Sequence, residues 1–172
     1  MRRIAIIQGD YRVEKDPGVT ITTLLGSCVA VCLHDTIARV GGMNHFLLGT
    51  PREGAVVSDA DRKRYGIHAM ELLINEMMKH GAARSRLSAH LYGGATIVAG
   101  LGAIGRSNAK FARDFVATER IEIAHCDLGG ERARRVEFRP HDGKARSRFV
   151  ADAVPILKPL ARPTNDGELI LF

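Results

Sequence analysis

The chain has no tryptophan, 5% aromatic residues and three cysteines in 172 residues. It also lacks any run of 18 apolar residues, which excludes a transmembrane helix on hydropathy. Met1 to Asp10 begins basic, but its apolar stretch Ile4 to Ile7 is too short for the h-region of a signal peptide. A cytoplasmic protein without membrane insertion is the expectation. Cys28, Cys32 and Cys126 are odd in number and contain no Cys-x-x-Cys pair. That argues against a disulfide framework or a structural zinc site, and it fits a reducing compartment. The shortage of aromatics bears on the basic residues. With 19 Arg, 6 Lys and a net charge of +6, the surface suits an acidic protein, a nucleic acid or an anionic membrane. In the densest basic stretch, Arg132 to Arg148, Phe138 is the one interleaved aromatic, with Phe149 just beyond. A solvated hairpin face, or a docking face for an acidic partner, suits it better than a nucleic-acid patch.

What is present is β-structure in hairpins, with helices in mid-chain. Apolar and β-branched runs predict strands at residues 3–7, 19–23, 29–33, 40–48, 87–92, 121–127, 134–139 and 145–150. Residues 11–13 are expected to pair back on the first strand. Residues 29–33 are apolar at every position, as in a buried strand. The dipeptide Asp142-Gly143 marks a hairpin turn. Ala69, Met70, Leu73, Ile74 and Met77 follow helical spacing over residues 66–80, with Gly81 as C-cap. Those methionines read as core. A second helix is expected from Ser107 to Thr118, with Phe111 and Phe115 one turn apart. Residues 49–64, rich in Gly, Pro and charge, read as a mobile loop. The pattern is α+β with mixed sheets covered by helices, in one domain, 1–172, whose tail 155–172 is less regular.

The chemistry centres on residues 22–48. Cys28 follows Gly26-Ser27 and opens an apolar run, and His45 lies 17 residues on within a second one. A hairpin there brings a thiol beside an imidazole, the minimum for a cysteine nucleophile. Gly26 and Ser27 free the backbone to bend, so that amides at Ser27 and Cys28 can face a developing oxyanion. Thr22 supplies a hydroxyl that can orient the imidazole. The bland alternative is a cysteine packed as a small hydrophobe and a hydrogen-bonded core histidine. Residue types alone leave both open. Cys32 and Cys126 read as core. Gly100-Leu101-Gly102-Ala103-Ile104-Gly105 matches the dinucleotide pattern G-x-G-x-x-G, with Asp127 about twenty residues on. The hairpins that follow are the wrong context for it.

Ordered blocks carry a resemblance. Thr22 through Gly26-Ser27-Cys28-Val29-Ala30-Val31-Cys32 is followed by Gly42-Met43-Asn44-His45, Gly93-Gly94-Ala95, Ile104 to Asn108, and Gly129 to Arg134. In these blocks the chain resembles the CheD family of chemoreceptor glutamine deamidases. The resemblance implies that Cys28 is the nucleophile, His45 the general base and acid, and Thr22 the residue orienting His45. It implies packed sheets flanked by helices in α/β/β/α layers, similar to the catalytic domain of cytotoxic necrotizing factor toxins. It further implies methyl-accepting chemoreceptors as substrate, the phosphatase CheC as a second partner, methylesterase action as a second reaction, and no cofactor or metal. A non-enzymatic module docking on receptors or CheC is the rival reading.

Overall fold

The computed structural model describes residues 1–48, 58–98, 100 and 102–151. The tail from Pro155 and most of the loop expected at 49–64 lie outside these residues. Among the described residues there are nine strands and two α-helices: β1 (Arg2–Ala5), β2 (Tyr11–Glu14), β3 (Val19–Leu25), β4 (Val29–Asp35), β5 (Val40–Asn44), α1 (Asp59–Lys79), β6 (Leu87–Gly93), α2 (Gly102–Thr118), β7 (Glu122–Leu128), β8 (Arg134–Arg139) and β9 (Lys144–Phe149). They form a first sheet in the order β1-β3-β8-β9 and a second in the order β2-β5-β4-β6-β7. Both sheets are mixed, because β1 runs parallel to β3 and β6 parallel to β7.

β4 explains the layering. All seven of its residues are buried. Val29, Val31 and Leu33 turn to Met70, Leu73, Ile74 and Met77 of α1 and to Ala112 and Val116 of α2. Ala30 and Cys32 face Ile21, Val136 and Phe138 of the first sheet. Each Leu, Ile or Met side chain so buried contributes about 1.5–3 kcal/mol. Both helices pack on the second sheet. The described residues therefore form three layers, α/β/β, rather than the expected α/β/β/α. The outer face of the first sheet is polar. Thr22 stands opposite Glu137, which carries ion pairs to Arg3 and Arg146, and Arg135 stands opposite Arg148. Glu137 is itself buried, but Arg3, Arg135, Arg146 and Arg148 are exposed, and a helix laid over them would strip these charges of water.

Two expectations shift with the chain path. β2 pairs with β5, in the other sheet, rather than returning to β1, so the turn at Gly9-Asp10 is a crossover between sheets. α1 starts at Asp59, seven residues ahead of Gly66. Ser58 caps it by accepting from Asp61 N at 3.2 Å, and Asp59 and Asp61 sit in the first turn, where the helix dipole favours acids. That first stretch is largely exposed and lacks apolar periodicity.

The β4–β5 turn is pinned from inside. The Asp35 carboxylate is fully buried and accepts from Ile37 N, Ala38 N, Ala83 N and Arg86 Nε at 2.9–3.1 Å. Burial alone would raise its pKa, but the Arg86 guanidinium and these amides outweigh burial and hold it at about 2. Asp35→Ala is expected to lower stability by about 2–4 kcal/mol, the cost of several buried amides losing their acceptor. Urea unfolding at neutral pH measures it, and a loss below 0.5 kcal/mol, the scale of ordinary surface changes, would remove the anchoring role.

Candidate active site

Gly26-Ser27-Cys28 is the link by which the chain leaves β3 in the first sheet and enters β4 in the second. Leu25 and Val29 on either side are fully buried, which fixes both ends of the link. The β4–β5 pairing continues past the strand end, with Val29 and Phe46 exchanging N–H···O bonds of 3.0 and 2.9 Å. In that register Ala30 faces His45. Side chains alternate, so Cys28, Ala30 and His45 share the face turned to the first sheet. Diagonal neighbours of this kind have backbones about 7–8 Å apart, within reach of a long side chain. The expected thiol and imidazole therefore lie on one face of one hairpin. The Cys28 thiol is half-buried and donates to Gln8 Oε1 at 3.7 Å. Burial pushes its pKa up to about 11.

His45 is held by its ring and its backbone. Its N–H donates to Asp10 O at 3.0 Å, and its carbonyl accepts from Gly9 N at 2.8 Å. Its Nδ1 lies 2.7 Å from Thr23 Oγ1, and that hydroxyl donates its one proton to Ile6 O at 2.7 Å. A carbonyl can only accept, so the hydroxyl must in turn accept from Nδ1–H. The neutral ring then carries its proton on Nδ1 and leaves Nε2 as a free acceptor. Burial, partly opposed by the Asp10 charge, lowers the His45 pKa to about 4.

Thr22 is not part of this chain of bonds. Within β3, Ile21, Thr23 and Leu25 face the second sheet, while Thr22 sits opposite Glu137 on the outer face with its hydroxyl unpartnered among the described residues. The hydroxyl on His45 is Thr23, one residue along. The strand alternation Val19, Ile21, Thr23, Leu25 was the signal for it.

The Gly26 and Ser27 expectation concerns backbone. Gly26 O accepts from Ala95 N at 3.0 Å, Ser27 O from Asn108 Nδ2 at 2.8 Å, and Cys28 O from Gly94 N at 2.8 Å. Among the described residues no acceptor faces Ser27 N or Cys28 N. The glycine-rich stretch builds this cradle. Gly93 has φ +107°, and a Cβ there would stand 2.1 Å from Cys28 O. A Cβ on Gly105 would stand 2.4 Å from Ala95 O. The G-x-G-x-x-G stretch does lie within one β-α-β unit, β6-α2-β7, yet Gly105 serves close packing behind the cysteine loop. Sequence reasoning passed over Gln8 and Asn108. Gln8 carries no pattern, whereas Asn108 is a polar residue on the apolar face of α2 beside Ala109 and Ala112.

The other cysteines divide. Cys32 is fully buried, as expected, and burial raises its pKa well above the ordinary thiol range. Cys126 is exposed on the edge strand β7 rather than in the core. His45 also borders a cavity of about 240 Å³, but the walls it shares with Tyr65, His68 and Leu72 come from α1, across the second sheet from the thiol. A larger cavity of about 550 Å³ between α1 and α2 includes neither Cys28 nor His45. Among the described residues no group of three or more His, Cys, Asp or Glu side chains is arranged to hold a metal. No helix among them is long and apolar enough to cross a membrane.

A model of the family described as CheD chemotactic sensory transduction matches residues 47–149. A protein of Acidiphilium cryptum named probable chemoreceptor glutamine deamidase CheD is 49% identical, over 99% of this chain and 94% of its own length. Proteins of the same name from Zymomonas mobilis and Agrobacterium fabrum are 47% and 45% identical, over 99% and 97% of this chain and 93% and 96% of their own lengths. Among solved structures, the hypothetical protein YfiH of Bacillus licheniformis is 11% identical over 71% of this chain and 50% of its own, with a TM-score of 0.43, too slight a likeness to bear on the fold. With a family model over more than half its length and full-length relatives at nearly half identity, the chain belongs to the CheD family.

Proposed function

We propose that this chain is a chemoreceptor glutamine deamidase in which Cys28 is the nucleophile and His45 the base and acid. The observation that carries the reading is the bonded series Ile6 O, Thr23 hydroxyl, His45 Nδ1, which leaves Nε2 free on the face that His45 shares with Cys28. As the Cys28 sulfur attacks the side-chain carbonyl carbon of a receptor glutamine, Nε2 takes the thiol proton. The Ser27 and Cys28 amides stabilise the oxyanion. The imidazolium then gives its proton to the departing nitrogen, and ammonia leaves. Nε2 next takes a proton from water, whose oxygen attacks the thioester. The C–S bond breaks, the proton returns to sulfur and glutamate remains. The product gains one negative charge. A methyl ester at the same position offers the same carbonyl and would release methanol.

The two pKa directions support a resting pair of neutral thiol and neutral imidazole, so the proton moves during attack and not before it. The finer parts of the reading belong to the same proposal: a single deamidase domain over 1–172, cytoplasmic action on methyl-accepting chemoreceptors, an association with CheC, and likeness to the necrotizing factor catalytic domain.

Mass spectrometry of a receptor cytoplasmic fragment tests the roles. Cys28→Ala should abolish conversion of glutamine to glutamate, and His45→Ala should lower its rate by about 10²–10⁴. Wild-type turnover by Cys28→Ala would sink the proposal. Thr23→Val should cost about tenfold to a hundredfold in kcat, the equivalent of one hydrogen bond to the ring. Thr22→Val should stay near the wild-type rate. The reverse order would return the orienting role to Thr22. His45 also leaves a mark on stability. It titrates near 6.5 when unfolded and at about 4 when folded, so the unfolded chain takes up this proton first as pH falls. Its contribution is full above pH 6.5 and is lost on the way down to about 4, roughly 3 kcal/mol in all. Urea unfolding across that range should show a smaller acid loss for His45→Gln than for wild type. Equal losses would mean that the ring titrates normally.

A further inference from the structure

We infer that Asn108 is a positioning residue that turns the Cys28 N–H toward the reacting carbonyl; this rests on the deamidase reading above. Asn108 is fully buried on the packed face of α2. A buried primary amide needs partners at both ends. Its Oδ1 accepts from Leu48 N at 3.0 Å, and its Nδ2 donates to Ser27 O at 2.8 Å. Leu48 N can only donate and Ser27 O can only accept, so the amide has one possible orientation. The side chain thereby ties α2 both to the segment carrying His45, three residues before Leu48, and to the link carrying Cys28.

The contact at Ser27 has a consequence one bond away. Ser27 C=O and Cys28 N–H belong to one peptide unit, and in a trans peptide the two point in opposite directions. Drawing the carbonyl toward α2 turns the amide hydrogen away from it. The flanking carbonyls of Gly26 and Cys28 are drawn to Ala95 N and Gly94 N. Three successive carbonyls thus point into the segment 94–108, which leaves Ser27 N–H and Cys28 N–H directed outward. The Gly26 and Cys28 restraints come from main-chain N–H groups, which no side-chain truncation removes. Asn108 supplies the one side-chain donor in the set, and a mutation can remove it.

Asn108→Asp is close to isosteric and separates this role from general packing. The ionised carboxylate still accepts from Leu48 N but cannot donate to Ser27 O. Once protonated it can do both, and burial raises the pH at which that happens. The full-length variant is assayed on the receptor fragment across a pH series, beside alkylation of Cys28 by iodoacetamide, which needs the thiolate but no oxyanion site. In the alkaline range kcat should fall by about 10²–10³, the usual cost of one oxyanion donor, with KM and the alkylation rate little changed. The kcat defect relative to wild type should shrink as pH is lowered. The inference is overturned by near-wild-type kcat, by kcat and alkylation falling together, or by a defect constant with pH. If Asn108→Asp shows no cooperative melt, Asn108→Ala is judged on the same pair of rates. A fully active Asn108→Asp beside an inactive Cys28→Ala removes only this inference, whereas an active Cys28→Ala removes the reading beneath it.

Discussion

The Thr23 hydroxyl is the joint on which the site depends. It lies on β3 in the first sheet, donates to Ile6 just beyond β1 and accepts from the ring of His45 just beyond β5 in the second sheet. A single proton therefore couples the docking of two sheets to the tautomer of one imidazole. If the sheets parted by an ångström, the bond would be lost and the ring would be free to carry its proton on either nitrogen. Packing between Ile21, Val136 and Phe138 on one side and Ala30, Cys32 and Met43 on the other keeps that gap closed. Core packing and the protonation state of the site are two aspects of one contact.

The sequence disclosed much of this, and its failures share a cause. β4 was legible because a run apolar at every residue can be stable only between two layers. The core residues of α1 followed from spacing alone, and the β8–β9 hairpin from its Asp142-Gly143 turn. That Cys28 and His45 share one face could be read because hairpin partners are local. What failed needed knowledge of which sheet a strand joins. Thr22 and Thr23 are chemically alike, and only the inward face of β3 separates them. β2 leaves β1 for the other sheet at a turn whose residues carry no mark of it. Cys126 looked like core until β7 proved to be an edge strand. The fourth layer was an expectation carried by resemblance, and among the described residues no helix lies on the outer face around Glu137.

The glycine-rich stretch shows how one pattern can serve two physical ends. Glycines that bring a backbone close to a pyrophosphate also bring it close to another backbone. Here the close partners are Cys28 O and Ala95 O, at distances that forbid a Cβ. The strand-turn-helix context is present, so context alone would not have separated the two uses. The separating fact is that the third glycine of the pattern, Gly105, lies against the Ala95 and Gly94 carbonyls, so its missing Cβ serves packing between helix and backbone.

Neutral charge at rest gives the proposed chemistry its selectivity. A preformed thiolate would meet any electrophile or oxidant that diffuses in, since the thiolate is the reactive form. Burial raises the Cys28 pKa and lowers that of His45, so both protons stay where they are until a carbonyl is held against the sulfur. The cost is a thiol that is a poor nucleophile on its own, and the geometry offsets it at two points: a base whose free nitrogen is set by Thr23, and amides whose direction is set by the carbonyls behind them. Both aids act only on a substrate already in place. The reaction therefore depends on how a receptor glutamine is presented to the Gly26–Cys28 link more than on the intrinsic reactivity of the sulfur.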